Sequence, residues 1–264
     1  MNKHWGIVKS VINEIRDFSE ETYPHGVFVS HPCSGYAKAE QKVFYFGQDT
    51  YRWMDKEAGG FDGMKRLFFS GEWREYLKLN SWPHLPEDIL AWGNRITFWP
   101  FIVKFHLYHT RGVFFNSIYD IDDITKDALM EIGYGNIHSI EVPNSLKKEG
   151  CEPDDWGKYH VLARACDKLD KLKIILDEYA PDAVVVLCWN WSEDAFFDGL
   201  TPVFYPLYEK DGKRFAYYTF KGYDTKLICL DHPQSRKFPK SDFDGMIKLA
   251  SKLLKKWPYK PLNG

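Results

Sequence analysis

The sequence predicts a three-layer α/β/α protein with a central, mostly parallel sheet of four to five strands. Three short apolar runs, Val43–Phe46, Asp182–Trp189 and Leu227–Leu230, are β-branched or aromatic enough to fill buried strands. Stretches with apolar residues at helical spacing lie between them. Strands alternating with helices pack into a parallel sheet covered on both faces.

In chain order, residues 5–18 carry Trp5, Ile7, Val8, Val11, Ile12, Ile15 and Phe18, a helical stripe expected to cover the sheet. Residues 21–40 hold two prolines and two glycines and read as loop, with a short strand at Val27–Val29 and His31 as a loop residue. The first buried strand ends on Gly47, and residues 53–63 form a glycine-bearing loop placed to ride over a ligand. Helices follow at Met64–Leu79 and Ile96–Tyr108, with Pro100 in the first turn of the second, where its missing donor is tolerated. Gly112–Ile121 reads equally as strand or short helix, and Ile124–Met130 as helix. The alternation in Asn136–Val142 predicts a strand. Leu162, Ala165, Leu169, Leu172 and Leu176 predict one long helix over Lys158–Tyr179. Leu200–Tyr208 and Arg214–Phe220 flank a Lys-Asp-Gly-Lys turn and pair as a hairpin. A final amphipathic helix spans Asp242–Lys256.

A chain of 264 residues can bury a large core, and one domain over 1–264 suffices, its centre at about 40–256. No run of eighteen apolar residues exists and the first residues lack a signal-peptide core, so a cytoplasmic monomer away from membranes is expected. Five cysteines without a CxxC pair argue against a disulfide framework or zinc ribbon. The net charge of −2 does not itself call for a nucleic-acid partner, but Arg236, Lys237, Lys240, Lys248, Lys252, Lys255, Lys256 and Lys260 make the end of the chain basic. Such lysines either meet phosphates or form a solvated helix face.

Two strand ends carry chemistry. Gly47 is followed by Gln48, Asp49, Thr50 and Tyr51, which puts an amide, a carboxylate and a phenol at the carboxyl edge where α/β sheets bind ligands; an Asx-type turn is the alternative use of Asp49. The strand at Leu227 ends on Asp231, His232 and Pro233. Gly-Gln-Asp-Thr-Tyr at 47–51 resembles the first signature of the uracil-DNA glycosylase superfamily, usually Gly-Gln-Asp-Pro-Tyr, and His-Pro-Gln-Ser-Arg at 232–236 resembles its second, a His-Pro-Ser followed by an intercalating segment. Order and placement after strands agree, although only a few dozen positions of residues 40–256 carry the likeness.

The resemblance implies a glycosylase that releases uracil or a related pyrimidine flipped out of single- or double-stranded DNA. Cleavage builds positive charge on the sugar and negative charge on the departing base. Asp49 would face the sugar and orient water, and His232 would donate to a base carbonyl. Phe98 matches the stacking phenylalanine, with a core role as the plain alternative and Phe101 as substitute. Asn136 matches the amide that reads the base edge, with Asn116 as rival and turn capping as the plain alternative. Gln48 would line the pocket through its backbone, Tyr51 would exclude a 5-methyl group, and Arg236 and Lys237 would meet DNA. Some relatives bind an iron–sulfur cluster through four cysteines, including a close pair near the N-terminus; that pair is missing here, so no cluster, metal or other cofactor is expected.

Thr50 stands where proline is usual, Arg52 where histidine is, Gln234 where a phosphate-binding serine is and Arg236 at the wedge position. These departures put the preferred base and strandedness in question more than the reaction. Two other classes remain open at this point: an idle member that binds nucleic acid or protein, and a flavodoxin-like hydrolase of free nucleosides.

Overall fold

The computed structural model describes residues 3–48, 59–72, 98–115, 122–188, 194–210, 213–233 and 242–256. Its strands are β1 (His31–Pro32), β2 (Val43–Gly47), β3 (Gly133–Asn136), β4 (Ala183–Cys188), β5 (Pro202–Lys210), β6 (Lys213–Phe220) and β7 (Tyr223–Asp231). Its α-helices are α1 (Lys3–Glu14), α2 (Gly60–Phe69), α3 (Phe98–Arg111), α4 (Asp123–Leu129), α5 (Pro143–Glu149), α6 (Trp156–Cys166), α7 (Leu172–Tyr179) and α8 (Phe243–Lys255).

Among the described residues, seven strands join one sheet in the order β1-β3-β2-β4-β7-β6-β5. The four central strands β3, β2, β4 and β7 are parallel, whereas β1 at one edge and β6 and β5 at the other are antiparallel to their neighbours. The expected count of four to five strands is therefore too low. The β5–β6 hairpin extends the sheet beyond β7, and the two residues of β1 pair with β3.

Alternation along the central strands divides the core. Val43, Tyr45, Val185, Leu187, Ile228 and Leu230 face α3, α4 and α8. Phe44, Phe46, Val184, Val186, Leu227 and Cys229 face α7. Helices thus cover both faces, as buried parallel strands require.

A third cluster lies among the helices. Val8, Val11 and Ile12 of α1 pack with Phe61 and Met64 of α2 and with Tyr159 and Leu162 of α6. The first helix therefore packs mainly against other helices, and it meets the sheet at its edge, where the Trp5 ring lies 5.2 Å from that of His31 in β1.

The helix expected over Lys158–Tyr179 is two helices, α6 and α7. Apolar spacing continues across the break, but Leu162, Ala165 and Leu169 serve the helical cluster while Leu172, Ile175 and Leu176 serve the sheet. At the break, half-buried Asp170 accepts a hydrogen bond from the Ser139 hydroxyl.

The strand expected over Asn136–Val142 lies earlier, at Gly133–Asn136. Its glycines disguise it, and packing demands them: a Cβ on Gly133 would come 2.1 Å from Phe44 Cδ2. Val27–Val29 is buried but forms no strand, and His31, expected in loop, lies in β1 opposite Tyr134. Helix α2 starts at Gly60, inside the stretch expected to be loop, and ends at Phe69. Residues 112–115 have no regular structure, while 116–121 lie outside the described residues.

Candidate functional site

Parallel pairing brings the carboxyl ends of β2, β3, β4 and β7 to one edge of the sheet. Gly47 is in register with Asn136, and Cys188 with Asp231. Pairing continues briefly past the strands: Ile137 N–H donates to the Gly47 carbonyl at 2.9 Å and His138 N–H to the Gln48 carbonyl at 3.1 Å. The backbone of Gln48 is thereby held immediately before Asp49. Across the sheet, the His232 N–H donates to the Cys188 carbonyl at 3.2 Å, which pins the histidine as it leaves β7.

Four of the expected elements meet here. Gly47 is bare because its neighbours crowd it: a Cβ there would lie 2.6 Å from Asn136 Oδ1 and 3.3 Å from Phe98 Cζ. Phe98, the first residue of α3, is 7% exposed and lies parallel to the His232 imidazole, with 5.6 Å between ring centroids and 11° between planes. Gly47, Asn136, Phe98 and His232 consequently form one contiguous cluster drawn from β2, β3, α3 and the end of β7.

Asn136 is 3% exposed at the carboxyl end of β3. Tyr134, two residues earlier on the same face of the strand, donates its hydroxyl to Asn136 Oδ1 at 3.4 Å. Trp99 completes this wall, its ring 4.8 Å from that of Tyr134 and 5.3 Å from that of Phe98. The phenol engages the amide oxygen and so fixes which end of the Asn136 side chain faces Tyr134.

Burial pushes the His232 imidazole down to about 4. The ring is neutral near pH 7 and, as a neutral imidazole, still offers one N–H donor. A neutral donor suits stabilisation of an oxyanion forming on a leaving base.

Of the other expected site residues, Phe101 is fully buried between Phe105 and Phe243, so Phe98 is the ring at the strand ends. Asp49, Tyr51, Asn116, Arg236 and Lys237 lie outside the described residues. Sequence reasoning missed Tyr134 and Trp99. Tyr134 was legible only through the period-two spacing to Asn136, which a strand placed over 136–142 hides.

The chain matches no protein-family model and no curated protein. No helix among the described residues is long and apolar enough to cross a membrane.

Proposed function

We propose that the protein is a DNA glycosylase of the uracil-DNA glycosylase type, hydrolysing the N-glycosidic bond of uracil or a related pyrimidine flipped out of DNA. The observation that carries this reading is the convergence of Phe98, Asn136 and His232 beside Gly47, two residues before Asp49. An aromatic wall, an amide and a neutral imidazole are the groups needed to stack a base, read its edge and accept the charge that gathers on it.

Asp49 supplies the complementary charge in this reading. Its carboxylate stabilises the cationic sugar and orients the attacking water, while His232 donates to the base carbonyl. Bond cleavage sends the electron pair to the base, and water adds to the sugar carbon and loses a proton. Tyr51 limits substituents on the base, and Arg236 and Lys237 meet the DNA. Helix α8 carries exposed Lys248 opposite its buried face of Met246, Ile247, Ala250 and Leu254. Its last turn lies at the amino edge of the sheet, where Lys226 donates to the Leu254 carbonyl, so Lys252, Lys255 and Lys256 point away from this site.

The test is incubation of the protein with uracil-containing single- and double-stranded oligonucleotides, followed by alkaline cleavage at abasic sites. Scission by the wild type that is lost in Asp49→Asn and reduced at least a hundredfold in His232→Ala supports the proposal. Salt-sensitive DNA binding without scission identifies a binding module instead, and base release from free nucleosides alone identifies a nucleosidase.

A further inference from the structure

The helical cluster gathers a second set of chemically distinctive side chains. His25 follows α1 in a buried segment, its side chain 4% exposed, and its Nε2 stands 3.9 Å from Glu149 Oε2. Glu149 ends α5, and Cys151 follows Gly150, whose left-handed φ of 67° turns the chain back on the helix. The Cys151 N–H donates to the Leu146 carbonyl at 3.0 Å, fixing this reversal. One imidazole nitrogen, one carboxylate oxygen and one sulfur thereby lie within 4.8 Å of one another.

We propose that His25, Glu149 and Cys151 bind Zn²⁺, with water completing a tetrahedron. Zinc takes this donor combination, whereas magnesium and calcium select oxygen alone. Tetrahedral Zn–N and Zn–S bonds of about 2.0 and 2.3 Å put neighbouring donors roughly 3.3–3.6 Å apart. The His25–Glu149 pair at 3.9 Å is close to that spacing, and the sulfur has only a short inward movement to make.

Charge balance favours the ion as well. The Cys151 thiol now donates to the Glu149 main-chain carbonyl at 3.6 Å. On binding, the thiol proton leaves to solvent and the thiolate takes the metal. One thiolate, one carboxylate and a neutral imidazole then offset the two charges of zinc, so the site carries no net charge into a largely buried environment. Cys151 is also the only one of the five cysteines that is not buried, which leaves it open to an incoming ion. The ligands come from distant parts of the chain, and the site accordingly ties the segment after α1 to the end of α5.

The test uses the full chain, stripped with a chelator, dialysed and titrated with Co²⁺ alone. The expected result is a thiolate-to-cobalt charge-transfer band saturating at one equivalent, bleached by Zn²⁺, together with a Zn²⁺-dependent rise in Tm of several degrees. Cys151→Ser, in a half-buried position, abolishes the band, and His25→Gln weakens Zn²⁺ binding at least tenfold. Absence of the band in folded wild type, or its persistence unchanged in Cys151→Ser, overturns the proposal. None of these readouts depends on glycosylase activity.

Discussion

The Phe98 ring lies face-parallel to the His232 imidazole, 5.6 Å away, although 134 positions separate the two in the chain. The pair links the start of α3 to the end of β7 and joins the aromatic wall to the hydrogen-bond donor. Phe98→Leu keeps most of the apolar volume and removes the ring. The His232 ring protons then shift in NMR spectra through loss of the aromatic ring current. Glycosylase kcat/KM falls by about fivefold to a hundredfold, the equivalent of roughly 1–3 kcal/mol of base stacking. Unchanged His232 resonances would show that the two rings do not stack in solution.

Gly47 tests whether the cluster needs its close approach. Alanine introduces a Cβ 2.6 Å from Asn136 Oδ1, so the amide must rotate away, and Phe98 must yield slightly as well. Overpacking of this kind costs about 1–3 kcal/mol of stability. Gly47→Ala is expected to fold with a modestly lowered Tm while its turnover on uracil-containing DNA drops more than tenfold. Wild-type turnover in the variant argues against a base-reading role for Asn136.

Acid stability follows from buried imidazoles. Burial is the main cause holding His4, His31, His109 and His232 at about 4 and His106 at about 3, against 6.5 for the free side chain. Between those values the unfolded chain binds more protons than the native protein, so stability is full above pH 6.5 and falls as pH drops through the folded pKa values. Each histidine withdraws at most about 1.4 kcal/mol per pH unit within that window. Urea unfolding is predicted to show a clear drop in midpoint between pH 7.5 and pH 5.0; a constant midpoint refutes the burial of these rings.

Asp170 acts with the opposite sign. Burial raises its carboxyl to about 8, against the lowering effect of the hydrogen bonds from Ser139. The native state here holds a proton that the unfolded chain has released, so this group's contribution is fully present below pH 3.8 and declines as pH rises to about 8. Asp170→Asn retains an acceptor for Ser139 and cannot ionise. It is therefore predicted to gain Tm relative to wild type at pH 9, with the gain shrinking towards pH 5. An equal offset at both values excludes the assignment.

Runs whose character is local were legible in the sequence. Ala183–Cys188 and Leu227–Leu230 of β7 are apolar along their whole length, so desolvation alone makes them strands, and the stripe in α8 can be buried only as a helix. His232 and Gln48 could likewise be placed at strand ends, because glycine and proline mark where those strands stop.

Tertiary structure decided what local pattern cannot carry. Gly133 and Gly135 have little strand propensity of their own; β3 exists there because Phe44, Phe46 and Ser30 approach too closely for any side chain. One continuous apolar stripe became α6 and α7 because its halves found different partners. The meeting of Gly47, Phe98, Asn136 and His232, and the separate meeting of His25 with Glu149 and Cys151, depend on strand order and helix packing across the whole chain, which periodicity over a few residues does not encode.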